Sequence, residues 1–176
     1  MIDADGGSLR RLTNEPGDDV APSWSHDGRW IYFGSNRTGE HQIWRLPAEG
    51  GPAVQVTRNG GIYAQESPDG KFLFYTKTRG ANPLWKAPLS NGVVNGPESQ
   101  VAPSIFYLNF AVRTEGVYFS PPRSIQFVPF AGGPAKTVAA LEKSPVGLSV
   151  SPDGRSFIYS VAGSSGSDIM LVENFR

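Results

Sequence analysis

The chain has 176 residues, with sixteen lysines and arginines balanced by sixteen aspartates and glutamates, two histidines and no cysteine. That length fits one domain with a sizeable core. Zero net charge gives no general pull toward nucleic acid or an anionic membrane, and the lack of cysteine excludes a disulfide framework, a thiolate metal site and a thiol nucleophile.

No stretch approaches the roughly 20 apolar residues of a membrane-spanning helix. The opening MIDADGG has neither a basic n-region nor an apolar h-region, so no signal peptide is expected within it. Twenty-one glycines, fifteen prolines and few helix-period stretches predict many short strands joined by turns.

Taken in chain order, Met1–Thr13 (MIDADGGSLRRLT) matches Arg45–Thr57 (RLPAEGGPAVQVT) and reads as the back half of a unit whose front half is missing. Pro22–Gly51 then supplies two strand-like runs, a tight turn and a Gly-Gly. Its turn, SHDGRWIYF with Gly28, returns as SPDGKFLFY with Gly70, RTEGVYF with Gly116 and SPDGRSFIY with Gly154. The second half of the unit returns as well: QIWRLPAEGG, PLWKAPLSNG, SIQFVPFAGG and DIMLVENFR place Ile43, Leu84, Ile125 and Ile169 in register, with Pro47, Pro88 and Pro129 after the first three. A recurrence of about 40–45 residues with four short strands per unit is a propeller signature. The units fall at about 19–57, 61–102, 105–141 and 146–176, with 1–13 the tail of a preceding unit.

The turn chemistry agrees. Proline pre-sets φ, Asp27, Asp69 or Asp153 bonds the local backbone, and Gly28, Gly70 or Gly154 takes a left-handed conformation, with Gly116 assigned the same place. Runs such as WIYF and FLFY are apolar on both faces, as a strand covered on both sides should be. The third unit departs from the pattern, with Arg-Thr-Glu-Gly at the turn and Gln126 in place of Trp44 and Trp85.

DDVAPSWSHDGRWIYFGSNRTGEHQIW, ESPDGKFLFY with LWKAPL, and VSPDGRSFIYS with DIMLVE together resemble the TolB-like β-propeller family, relatives of the WD-repeat propellers. The resemblance implies an all-β propeller of four-stranded antiparallel blades. About four blades are present, read here as an arc of a six- to eight-blade ring. The competing reading is a four-blade ring closed by pairing Ser8–Thr13 with Asp168–Glu173.

A search for chemistry returns little. His26 replaces a turn proline, and His41 falls on a loop. VAGSSGSD lacks the G-x-S-x-G pattern and any following helix, so no hydrolase activity is expected and Ser165 is read as a loop residue. DADGGS fails the D-x-[DN]-x-[DN]-G calcium pattern, and no catalytic, cofactor-binding or metal-ligating residue is assigned. One position is odd: Trp24, Val112 and Val150 are equivalent on the inner strand, and Glu66 stands there in the second unit. A carboxylate there must be paired or hydrated.

Loops entering the inner strand and loops between the second and third strands open on one face, where binding is expected. The candidates are Asp18, Asp19, Asn36, Arg37, His41, Arg58, Tyr63, Arg79, Tyr107 and Arg123, a mixture suited to protein recognition. The resemblance implies a non-catalytic envelope scaffold with a protein partner, in the periplasm or cell envelope. The alternatives are the sensory propeller of a cytoplasmic regulator with a winged-helix DNA-binding or Ser/Thr kinase domain and, less favoured, the propeller of a serine hydrolase. Neither nucleic acid nor a cofactor is expected as a ligand, and self-association through exposed blade faces is.

Overall fold

The Ser-x-Asp-Gly turns close three hairpins in the same way in the computed structural model, which describes residues 1–2, 4–7, 9–162 and 167–173. The hydroxyls of Ser25, Ser67 and Ser151 donate to Asp27, Asp69 and Asp153 at 2.7, 2.6 and 2.6 Å. Each aspartate accepts the N–H two residues on, and each serine oxygen accepts the N–H five residues on, at 2.9 Å. The serine hydroxyl and then the backbone N–H hold all three carboxyls below their ordinary range. Gly28, Gly70 and Gly154 sit at φ 70°, 69° and 69°, where a Cβ is strained.

Gly116 corrects the sequence reading. The Arg113 N–H donates to the Gly116 carbonyl at 2.9 Å, where the other units bond the Ser25, Ser67 and Ser151 N–H to carbonyls five residues on, so the third turn is two residues shorter. Gly116 pairs with Pro129 as Trp30 pairs with Pro47 and Phe72 with Pro88; it is therefore the first strand residue and not a turn glycine. A Cβ there would run into the Val128 carbonyl and the Phe127 ring, which is why glycine stands there.

Among the described residues there are sixteen strands and no helix. The first sheet holds β1 (Asp19–Trp24), β2 (Trp30–Ser35), β3 (Gln42–Pro47) and β4 (Val54–Gln55) in that order. The second holds β5 (Tyr63–Glu66), β6 (Phe72–Thr76) and β7 (Ala81–Ser90), with β8 (Val93–Val94) and β9 (Ser99–Phe106) both on β7. The third is β10 (Phe110–Val112), β11 (Gly116–Phe119), β12 (Ser124–Pro129) and β13 (Lys136–Ala140). The fourth has three strands: β14 (Val146–Val150), β15 (Ser156–Ala162) and β16 (Ser167–Glu173). All are antiparallel blades, arranged as in a β-propeller.

The blades stack through their inner strands, β1 on β5, β5 on β10 and β10 on β14. No contact of that extent joins β14 back to β1 among the described residues. Side chains bridge each step. The Ser23 hydroxyl donates to the Ala64 carbonyl at 2.5 Å. Gln65 donates to the Phe110 carbonyl and accepts the Val112 N–H at 2.8 Å. Asn109 donates to the Pro145 carbonyl at 2.8 Å and Arg113 reaches the Val150 carbonyl.

Most of the apolar core lies between blades. Tyr32, Ile43 and Val56 of the first pack on Leu73 and Tyr75 of the second; Phe74 and Leu84 meet Phe110 and Phe119; Ile125 meets Phe157 and Tyr159. Among the described residues, no pairing of residues 9–13 with β16 is seen. Ser8 lies outside the described residues, Leu12 packs on Ile31, Phe33 and Leu46 of the first blade, and β16 pairs with β15.

Candidate functional site

Three loops converge where the first two blades meet. The first, between β2 and β3, carries Glu40 and His41. The second, leading into β5, carries Asn59 and Gly60, and the third, between β6 and β7, carries Lys77, Thr78 and Arg79. Together with Ile62 they line a hollow of about 510 Å³.

The hollow's walls are held from beneath. The Gln42 side-chain oxygen accepts from the Thr57 hydroxyl at 3.1 Å and the Gly60 N–H at 3.0 Å, and Thr57 accepts the Ile43 N–H at 2.8 Å. Gln42, Thr57 and Ile43 are buried, so their satisfied bonds fix the middle loop. Asn82 fixes the third: it accepts the Lys77 N–H at 3.0 Å and donates to the carbonyls of Thr78 and Gly80 at 2.9 and 3.1 Å. Two glycines allow the close approach. A Cβ on Gly61 would lie 2.6 Å from the Ile43 side chain, and one on Gly34 would lie 2.9 Å from Ile62 Cα.

Most charges around the hollow are already engaged. Lys77 is paired with Glu98, which also accepts the Tyr75 hydroxyl, and Lys77 lies 4.3 Å from the Trp85 ring centre. Burial opposes ionisation of Glu98, but the bonds from Lys77 and Tyr75 prevail and hold its pKa low. Arg37 binds Asp19 at 3.0 Å with side chains 9% and 21% exposed, and its guanidinium lies over Trp44 and Phe33 at 4.9 and 5.2 Å. Asp19 is held low in turn: partial burial works against it, and bonds from Ser35, Thr13 and Arg37 outweigh that. Among the described residues, Glu40 and Arg79 remain exposed on the hollow, Arg79 with the Asp18 carboxylate 4.0 Å away across exposed surface, and the His41 Nε2 is buried without a hydrogen-bond partner.

The structure thus gathers His41 and Arg79 in one hollow, with Asp18 beside it and Arg58 lining the adjoining hollow of about 450 Å³ with Asn59 and Trp85. Asp19, Asn36 and Arg37 do not line it: Arg37 lines a separate hollow with Thr13 and Trp44, and Asn36 accepts the Asp18 N–H at 2.7 Å. Three candidates belong elsewhere. Tyr63 lies on β5 with its ring 5.0 Å from Phe110 and its hydroxyl bonded by Gln65, and burial pushes its pKa up. Tyr107 stacks on Phe106 at 4.9 Å, and its carbonyl accepts the Thr76 hydroxyl. Arg123 is exposed at a left-handed position, φ 60°, in the β11–β12 turn. Sequence reading missed Asn59, Lys77 and Asn82; only the loop pairing across blades reveals them.

On the opposite face, Glu66 lines a hollow of about 320 Å³ with His26, Asp27, Arg45 and Asp69. Burial raises its pKa, and the His26 N–H donates to it at 3.2 Å. The odd carboxylate of the inner strand is therefore partnered across the blade boundary. Among the described residues no three His, Asp or Glu side chains are grouped to hold a metal, and Ser165 lies outside those residues.

Residues 1–95 match the model of the TolB beta propeller domain. An uncharacterized protein of Agrobacterium fabrum is 42% identical over 71 residues, 39% of this chain and 24% of that protein. The Tol-Pal system protein TolB of Bordetella pertussis is 44% identical over 54 residues, 30% of this chain and 12% of TolB. The chain thus spans less than a quarter of the length of these relatives. In three dimensions, TolB from Acinetobacter baumannii superposes with a TM-score of 0.79 at 18% identity, over 98% of this chain and 45% of that one, a likeness of fold.

Proposed function

Because the chain belongs to the TolB β-propeller domain family, we propose that it is a non-catalytic scaffold of the cell envelope that binds a protein partner on the loop face between its first two blades. The observation that carries this reading is the hollow whose walls are fixed by buried hydrogen bonds while the Arg79 guanidinium stays exposed on its rim and the buried His41 Nε2 has no hydrogen-bond partner. A preorganised, largely apolar pocket with an exposed cation at its rim suits a protruding side chain of a partner, and an acidic group would pair with Arg79. Non-catalysis is favoured because no serine or aspartate hydrogen-bonds to either histidine side chain among the described residues.

The test is site-specific photo-crosslinking in the native envelope, with the reactive residue at Thr78 on the loop face and at Lys71 on the turn face. The expected result is an adduct from Thr78 that disappears when Arg79→Glu and His41→Ala are introduced, and none from Lys71. Adducts from Lys71 alone would move the binding face to the other side, and turnover of peptide or ester substrates lost in His41→Ala would replace the scaffold reading with an enzymatic one.

A further inference from the structure

On the turn face, the hollow of about 320 Å³ between the turns of the first two blades is lined by charged groups, and most of them are engaged with one another. Asp27 accepts from the Ser25 hydroxyl, the Arg29 N–H and the Arg29 Nε, the last at 2.6 Å. Asp69 accepts from the Ser67 hydroxyl and the Lys71 N–H, with the Lys71 ammonium 3.8 Å away. Glu66 and Arg45 are left. The Glu66 carboxylate has one hydrogen bond, from the His26 N–H at 3.2 Å, and no ion pair among the described residues. Its Oε1 lies over the second turn, 3.4 Å from where a Cβ on Gly70 would stand.

Arg45 is held in place across the same hollow. Its guanidinium lies 4.0 Å from the Trp30 ring centre and against Gly92, where a Cβ would collide with Nη1, and Nη2 donates to the Asn91 carbonyl at 2.5 Å. Its Nε is buried without a hydrogen-bond partner, and Arg45 too forms no ion pair among the described residues. The Tyr32 hydroxyl, on a side chain 1% exposed, is likewise buried with no hydrogen bond of good geometry. The charges of Glu66, Arg45 and Asp27 all act on it, which puts it behind the hollow. A carboxylate and a guanidinium that line one hollow unpaired, backed by buried polar atoms without partners, are unfavourable on their own. Groups left so mark a place where a polar ligand completes the bonding.

We propose that this hollow binds a small zwitterion of the α-amino acid class, with its ammonium on Glu66 and its carboxylate on Arg45. The two opposite, unpaired charges decide the class. A simple anion would meet Glu66 with Asp27 and Asp69 beside it, and a simple cation would meet Arg45 and Arg29. A sugar stacks on an open aromatic face, and that of Trp30 is already covered by Arg45. A zwitterion meets each charge with its opposite, and both contacts are charge-assisted hydrogen bonds, the strong kind. The Arg45 Nε, unbonded within the protein, gives the ligand carboxylate a donor. The volume falls at the low end of the range for ligand hollows, about 300–1,000 Å³, so the ligand is small. The site lies on the turn face, away from the loops proposed to take a partner protein.

Isothermal titration calorimetry of the full chain at neutral pH, with the common L-amino acids added singly, tests this. Methylamine, acetate, glucose and phosphoethanolamine are the comparison ligands. The expected result is a Kd of about 1 mM or tighter for at least one amino acid, with no binding of methylamine or acetate at the same concentrations. Glu66→Gln and Arg45→Gln should each weaken binding about tenfold to a hundredfold while keeping the wild-type circular dichroism. Arg45→Lys serves if Arg45→Gln unfolds, and should weaken binding because it lacks the Nε donor. Lys136→Gln, an exposed charge change in the third blade, should leave binding as it is. No binding of any amino acid, binding indifferent to Glu66→Gln, or binding of glucose or phosphoethanolamine alone would each overturn the proposal.

Discussion

Leu84 in the second blade and Ile169 in the fourth hold the same place in the repeat, are nearly the same size, and differ in exposure from 0% to 79%. Their strands pair with the second strand of the sheet in the same register, although Leu84 also has Ala102 of β9 beside it while β16 is an edge strand. Over Leu84 lie Phe110 and Phe119 of the next blade, and among the described residues nothing comparable lies over Ile169. The same contrast runs along the central strands: β6 is buried on both faces from Leu73 to Thr76, while β15 alternates buried and exposed residues. Blade stability in this molecule is a property of neighbours, as in other stacked repeats.

The sharpest way to break that comparison is to truncate both residues. Leu84→Ala should cost about 2–5 kcal/mol, whereas Ile169→Ala should stay within about 0.5 kcal/mol, measured by urea unfolding. A similar cost for both would mean that burial between blades is not what holds the fold. Next in size is Gly34→Ala, whose methyl would collide with Ile62 where the first blade meets the second; overpacking of this kind costs about 1–3 kcal/mol. The matching change at Gly132, with open space around it, meets only its left-handed φ of 96° and should cost less.

A change in the opposite direction is expected at Ala21. It sits at φ 50° in the β1 bulge, where the equivalent residue of β14 is Gly147 at φ 80°. Ala21→Gly should relieve left-handed strain and stabilise by up to about 1 kcal/mol, read as a higher melting temperature.

The smallest effects concern pH. Asp69 and Asp153 have lowered pKa values, so their turns stabilise the fold above the ordinary 3.8 and lose that contribution as pH falls through the lowered folded values. Glu66 is raised above its ordinary 4.5, so its charge costs stability once pH rises above that value. Glu66→Gln should therefore raise the melting temperature at pH 7 and leave it unchanged below about pH 4. A Glu66→Gln chain less stable than wild type at pH 7 would show that its contact with the His26 N–H outweighs burial.

Much of this architecture was legible in the residues. The recurrence of Ile43, Leu84, Ile125 and Ile169 fixed the strand register, because a period-2 strand puts each such residue on one defined face. The Ser-x-Asp-Gly turns were legible because their hydrogen bonds are local. Gly116 was misplaced because the glycine was matched by identity, while the third turn is two residues shorter and keeps its register through Pro129. Tyr63 was assigned to the binding face because an aromatic near a loop reads as exposed; its side chain packs on Phe110, forty-seven residues away in sequence. The hollow itself was half legible. His41 and Arg79 were named from their loops, but that His41 lacks a partner while Arg37 is taken by Asp19 depends on contacts between elements far apart in the chain.

Amide hydrogen exchange on the chain compares the two strands most directly. If neighbouring blades hold each blade in place, the amides of Phe72–Thr76 exchange only through global unfolding, while those of Ser167–Glu173 exchange far faster by local opening. Equal protection of the two strands would contradict that, and would mean that the fourth blade is held by its own sheet alone.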